Sequence, residues 1–164
     1  MYKIYTDGAT SHNGREDAVG GYAWMLIKDE TCVDYAAKKI IPATNNICEM
    51  MAIIDACEKI LPSLNEFDRV EIYSDSAYCI NCYKQFWWKA WLHNNWVNSK
   101  KEPVKNKELW ERLIPFFQDA RFQFVKVKGH SDDGSINSKW NNFVDELAVA
   151  ARTDNLKNME VVYD

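Results

Sequence analysis

Three extended apolar segments open the chain with no helical pattern between them, and that run constrains the fold most. Residues 2–6, 20–28 and 32–41 read as successive strands, the second and third joined by a tight K-D-E-T turn. Strands linked this closely pair antiparallel, so the chain begins as a meander. The period then changes. Met50, Ile53, Ile54, Cys57, Ile60 and Leu61 keep helical spacing, with Thr44 or Asn45 as N-cap and Pro62 just past the end. From there helices and strands alternate: a strand at 70–74, a broken helical stretch at 76–97, a helix at 106–118, a strand at 121–127 and a helix at 139–152. In the last, Trp140, Phe143, Val144, Leu147, Ala148 and Ala151 form one apolar stripe.

A meander followed by helix–strand crossovers implies an α/β fold: a five-stranded mixed sheet, three antiparallel strands and then parallel additions, flanked by helices. The first strand is then central, with the strand at 70–74 parallel beside it. Two aspartates stand where these neighbours are expected to stop, Asp7 after K-I-Y-T and Asp75 after V-E-I-Y-S. An aspartate at a strand end is ordinarily a turn former. Both, however, fall on the carboxyl edge of the sheet, where open α/β sheets bind ligands. Glu49 lies one helical turn before Ile53, at the margin of its helix's buried face, and Asp145 lies beside Ala148 at the margin of the last stripe.

Four acids aimed at one spot repel one another and resist desolvation, and a divalent cation compensates both costs. An all-oxygen set with no supporting Cys/His cluster points to Mg²⁺ or Mn²⁺ rather than zinc. The five cysteines (32, 48, 57, 79, 82) lack paired metal spacing. Cys79 and Cys82 sit in a helical stretch and are expected to face the core, and free thiols fit a reducing cytosol. No apolar run is long enough to cross a membrane, and the N-terminus carries no signal-peptide pattern.

Charge is uneven. A net charge of −4 is unusual for a nucleic-acid binder, yet residues 84–107 hold six lysines (84, 89, 100, 101, 105, 107) against the single acid Glu102, a local balance of +5.

The segments Y-T-D-G-A, T-N-N-I-C-E-M-M-A, Y-S-D-S, K-E-P-V-K-N-K-E-L-W, V-K-G-H and N-N-F-V-D-E-L-A, in that order, resemble the type 1 ribonuclease H family. The resemblance spans about 150 of the 164 residues. It implies a catalytic domain at 1–152 with a C-terminal tail at 153–164, and a monomeric cytoplasmic endoribonuclease. Such an enzyme cleaves the RNA strand of RNA–DNA hybrids with two Mg²⁺ ions (Mn²⁺ as substitute), leaving 5′-phosphate and 3′-hydroxyl ends. Carried over residue by residue, the metal-holding catalytic acids are Asp7, Glu49, Asp75 and Asp145, with His130 as an auxiliary proton carrier in a polar loop.

The same resemblance assigns substrate contacts. Asn13, Asn45 and Asn46 would read 2′-hydroxyls, which amides can both donate to and accept from. Thr44 and Asn106 would bind a phosphate of the DNA strand, although each also stands where a helix cap belongs. Trp87, Trp91 and Trp96, with Trp88 close enough to exchange with Trp87, would pack on the DNA strand beside Lys100 and Lys101. Pro42 and Ala77 depart from the family pattern where many relatives place a basic residue and a glutamine. The loops after Asp7 and after His130 are longer than usual. Three other readings remain open: a DNA endonuclease on the same fold, a non-catalytic hybrid-binding module, and a metal-stabilised structural domain.

Overall fold

The meander forms as the sequence pattern suggests, with only its first strand markedly longer: β1 (Tyr2–Ser11), β2 (Val19–Lys28) and β3 (Thr31–Ile40). The computed structural model describes residues 1–11, 15–129 and 134–156. Next come α1 (Asn45–Ile60), a 3₁₀ turn over Leu61–Ser63, β4 (Val70–Ser74), α2 (Ala77–Lys84), α3 (Trp87–His93), α4 (Lys107–Phe117), β5 (Phe122–Lys126) and α5 (Ile136–Arg152). The sheet order is β3-β2-β1-β4-β5, antiparallel on one side of β1 and parallel on the other, as the element pattern implies.

Three boundaries differ from the sequence reading, each for a stated physical reason. β1 does not stop at residue 6. Asp7 to Ser11 continue the antiparallel ladder, ending at Ser11↔Val19, whereas parallel pairing with β4 ends at Tyr5↔Tyr73. Asp7 is therefore inside a strand, but just beyond the point where β1 loses its partner on one side. α5 begins at Ile136 rather than 139, because the Ser135 hydroxyl accepts from the Ser138 N–H at 3.1 Å and caps a polar first turn. The helical stretch 76–97 resolves into α2 and α3, broken at Phe86, whose φ of 59° is left-handed.

Strand alternation sorts the core onto two faces. Ile4, Trp24 and Ile72 point to one face, against Met50, Ile53 and Ile54 of α1 and Trp110 and Leu113 of α4. Tyr5, Ala23 and Met25 point to the other, against Trp140, Val144, Leu147 and Ala148 of α5. Each large apolar side chain buried this way stabilises the fold by about 1.5–3 kcal/mol. Both helices that carry candidate acids are thus anchored by their stripes. Cys79 and Cys82 are buried free thiols, as their spacing implied. Among the described residues no helix is long and apolar enough to cross a membrane.

Candidate active site

Where β1 and β4 part, their carboxylates meet. Asp7 and Asp75 each lie two residues past the last parallel pair, Tyr5↔Tyr73, so the two strands deliver them at matching heights. The Thr6 hydroxyl donates to the Tyr73 carbonyl at 2.9 Å and closes the end of the pairing. Ser76 then caps α2 through the Cys79 N–H at 3.1 Å, turning the chain away immediately after Asp75.

Helix approach supplies the other two acids. A Cβ at Gly8 would stand 2.7 Å from Cys48 Cβ and 2.8 Å from the Glu49 nitrogen, so α1 can cross β1 this closely only over glycine. On the opposite face, a Cβ at Gly21 would lie 2.6 Å from the Arg152 nitrogen, and its absence lets α5 settle onto β2. Bare backbone at these two positions brings Glu49 and Asp145 down onto Asp7.

Asp7, Glu49 and Asp75 each offer an oxygen, and the three lie within 4.8 Å of one another. Asp7 is 2 % exposed. It comes within hydrogen-bonding reach of both Glu49 and Asp145, which makes it the shared member of the group. Burial first, then the Glu49 and Asp75 charges, push the Asp7 carboxyl far above the carboxylate range. Burial and the Asp75 charge raise Glu49 as well. At an effective dielectric of about 20, two like charges at this separation repel by about 3–4 kcal/mol. Among the described residues, no ion pair involves Asp7, Glu49 or Asp75.

These residues fit a hard divalent cation. The donors are all carboxylate oxygens, and Glu49 Oε2 is covered while lacking a hydrogen-bond partner. A buried acceptor without a donor is costly in a protein alone but is satisfied by a bound ion.

The remaining assigned residues fall into distinct groups. Asn13 and His130 lie outside the described residues. Thr44 caps α1, its hydroxyl accepting from the Ile47 N–H at 3.1 Å. Asn45 and Asn46 are exposed on the first turn of α1, and Asn45 shares a helix face with Glu49 one turn on. Asn106 occupies the residue before α4 with φ 61° and makes no side-chain cap there. Its amide instead donates to the Tyr78 hydroxyl at 3.4 Å, so the capping expectation is corrected.

The tryptophans also divide. Trp88 is buried in the core, and Trp91 is nearly so, packed against Trp96 and Trp110 with ring centroids at 5.9 and 5.4 Å. Trp87 is half-buried, and with Tyr78, Trp91, Asn94, Val97 and Val104 it lines a groove of about 520 Å³. Trp91 thus joins the groove wall while anchoring α3. Lys84, Lys89, Lys100, Lys101, Lys105 and Lys107 are all exposed. Asn98 shapes the turn bearing Lys100 and Lys101, its Oδ1 accepting from the N–H groups of Lys100 (2.9 Å) and Glu102 (3.0 Å).

Sequence reasoning passed over Asn141. It is 2 % exposed and stands four residues before Asp145 on the same face of α5. That spacing was the signal: a polar side chain one turn before a candidate ligand.

Comparison with known proteins agrees with this architecture. The RNase H family model matches residues 1–153. The chain is 43 % identical over 145 residues to a ribonuclease H of Clostridium botulinum (88 % of this chain, 91 % of that protein). It is 44 % identical over 146 residues to one from Chlorobaculum parvum (88 % and 90 %). Among solved structures it resembles a foamy viral protease–reverse transcriptase in complex with RNA/DNA hybrid, with a TM-score of 0.80 and 22 % identity. That match covers 93 % of this chain and 20 % of the viral one. It also resembles LC11-RNase H1 in complex with RNA/DNA hybrid, with a TM-score of 0.67, 22 % identity and coverage of 95 % and 99 %. At such identities the structural likeness speaks for the fold.

Proposed function

The chain belongs to the RNase H family, and from that premise we propose that it is an endoribonuclease that hydrolyses the RNA strand of RNA–DNA hybrids. The observation that carries the reading is the convergence of Asp7, Glu49 and Asp75 within 4.8 Å, with Asp145 beside Asp7. These four acids would hold two Mg²⁺ ions, with Mn²⁺ as a substitute. Bound there, the ions supply an activated water and a stabilised leaving 3′-oxygen, which yields 5′-phosphate and 3′-hydroxyl ends.

The chain's own groups do the rest. Asp7, touching both Glu49 and Asp145, fixes the spacing of the set from a rigid central strand. Crowded carboxylates alone would repel a phosphodiester, so substrate enters only with cations in place, which ties binding at the scissile phosphate to metal. His130 would carry a proton to or from the reacting oxygens, a task that suits histidine because the free imidazole changes charge near neutral pH. Asn13, Asn45 and Asn46 would recognise ribose 2′-hydroxyls. Asn45 is suited to this by its place one turn before Glu49, and the recognition confines cleavage to the RNA strand. Thr44 and Asn106 would hold a DNA-strand phosphate, while Trp87, Trp91, Lys100 and Lys101 would line and charge the groove that takes that strand. The reading takes residues 1–152 as the catalytic unit and the enzyme as a monomer. It also takes a reducing, cytoplasmic setting, consistent with five free buried cysteines.

The test is cleavage of matched RNA–DNA hybrid, RNA duplex and DNA duplex, with Mg²⁺, Mn²⁺ or chelator, followed by end analysis of the products. Metal-dependent cutting of the hybrid's RNA strand with 5′-phosphate ends is expected. Cutting of DNA duplex would instead favour a DNA endonuclease. Hybrid binding without cleavage would favour a binding module, and unfolding on chelation a structural metal.

A further inference from the structure

Asn141 is a buried amide with one end used and one end idle. Its Nδ2 donates to the Lys128 carbonyl at 3.5 Å, and its Oδ1 is covered and has no partner among the described residues. It borders a polar cavity of about 200 Å³ lined also by Lys126, Lys128, Asn137 and Ser138. Leaving a buried polar atom unpaired is costly, so an apolar side chain of similar size would serve stability better. The used end therefore explains the residue.

That end ties together two pieces of backbone that each border the carboxylates. Lys128 leads into Gly129, where an added Cβ would stand 2.9 Å from Asp75 Oδ2, so the chain leaving β5 rests directly on Asp75. Asn141 itself sits one helical turn before Asp145, which reaches Asp7. The far end of α5 is fixed separately by its close approach to Gly21. The near end is seated by Trp140 in the core and by the Tyr5 hydroxyl donating to Asn137, and Asn141 adds the tie from it to the segment leaving β5.

We propose that Asn141 is a positioning residue: by holding the Lys128 carbonyl it locks α5 to the segment lying on Asp75, and so sets the spacing between Asp145 and Asp75. The proposal rests on the reading of the four acids as metal-holding. Groups that orient metal-holding side chains typically matter by about 10–100-fold in metal affinity or activity.

The experiment compares Asn141→Ala, Asn141→Asp and Gly129→Ala with the unmodified protein and with Asp7→Asn. It measures kcat and KM on hybrid, Mn²⁺ affinity by calorimetry without substrate, and thermal unfolding. Asn141→Ala should lower kcat by about 10–100-fold with KM for hybrid little changed, and should weaken Mn²⁺ binding by a similar factor. Asn141→Asp keeps the volume but presents a carboxylate to the Lys128 carbonyl, so it should do no better than Ala; a side chain that merely fills space would be rescued by it. Gly129→Ala, which leaves α5 untouched, should give the same split and keeps the idea testable if the Asn141 variants fail to fold. Wild-type kcat and Mn²⁺ affinity in Asn141→Asp, or in Gly129→Ala, would overturn the proposal, as would an effect confined to KM. If Asp7→Asn also cleaves normally, the failure belongs to the metal reading rather than to Asn141.

Discussion

The carboxylate end and the lysine-bearing segment at 86–106 are built by opposite means. The four acids come from residues 7, 49, 75 and 145, scattered over nearly the whole chain and brought together by strand register and helix contact across the sheet. The segment 86–106 is continuous in sequence and held by local turns. Of the eight non-glycine residues with left-handed φ among the described residues, five fall there: Phe86, Asn95, Trp96, Lys101 and Asn106. Such conformations persist only where surrounding contacts impose them. Here Trp91 and Trp96 pack on each other, Val97 pairs with Pro103, and Asn98 organises the turn. On the proposed reading, chemistry that tolerates little displacement would be framed by the sheet, whereas gripping a uniform phosphate backbone would need only exposed charge on an anchored platform.

The comparison breaks most visibly at Asp7. Asp7→Asn should abolish hybrid cleavage, a drop of at least about 10³-fold, the scale of removing one preorganised electrostatic group. The fold should survive. Because the folded-state pKa of Asp7 is raised, the folded chain binds more protons than the unfolded one above the ordinary carboxylate value of 3.8. Metal-free stability therefore falls as pH rises above about 4. Melting curves at pH 5 and pH 8 without metal should show that fall in the unmodified protein, a shallower one in Asp7→Asn, and a recovery on adding Mg²⁺ only where Asp7 is present. A variant that unfolds, or one that cleaves near-normally, would contradict the role given to Asp7.

A smaller effect is expected for His130→Ala. Turnover should drop by about 10²-fold, the lower part of the range for general acid–base help, because water can partly replace a proton carrier. A defect as complete as that of Asp7→Asn would place His130 among the indispensable groups instead.

Gly8→Ala tests whether the sheet truly frames the site. Its methyl meets Cys48 and Glu49 backbone, so α1 must retreat, at a cost of about 1–3 kcal/mol in stability. Cleavage should fall by a much larger factor than hybrid affinity, because the same retreat shifts Asn45 and Asn46 only at the margin of the groove but displaces Glu49 from the metal-holding set. Weakened affinity with turnover unchanged would mean that the Gly8 contact seats Asn45 and Asn46 on the substrate rather than Glu49 in the site.

The other region, together with Lys84 at the end of α2 just before it, is probed by changing Lys84, Lys89, Lys100 and Lys101 together to alanine. All are exposed, so stability should hold. Hybrid binding should weaken, and its log–log salt slope should flatten by about 0.7–0.9 for each phosphate that is no longer neutralised. Turnover at saturating substrate should barely move. An unchanged slope, from titrations between low and moderate salt, would mean that these lysines only solvate a tryptophan-anchored helix pair.

The meander, the order of crossovers and the two helix stripes were legible because each depends on local periodicity, and the stripe from Trp140 to Ala151 lies against the sheet as its spacing demands. Asp7, Glu49, Asp75 and Asp145 were legible as oddities at the margins of apolar runs. What escaped depends on distant partners. G-A-T-S after Asp7 reads locally as a turn, yet these residues stay in the ladder because β2 lies opposite and its Gly21 admits α5. Asn106 reads as a helix cap, but Tyr78 takes its amide. Trp88 and Trp87 are interchangeable in sequence, and only the core behind α3 buries one and leaves the other on the groove.

The parting of β1 from β4 after Tyr5↔Tyr73 also bears on how such a chain can change over generations. The opening for the acids is the end of a hydrogen-bonded ladder, so its position is counted in residues from the strand starts rather than in loop lengths. Insertions between residues 12 and 18, or between 130 and 135, leave that count untouched. A single residue added or deleted inside β1 before Asp7 would turn its carboxylate to the opposite face of the sheet. Changes of length in those connections therefore leave the acids in register, provided Asn13 and His130 keep their places, whereas the residues from Tyr2 to Asp7 stay fixed in number, and an insertion scan across β1 and residues 15–18 would read out that asymmetry directly.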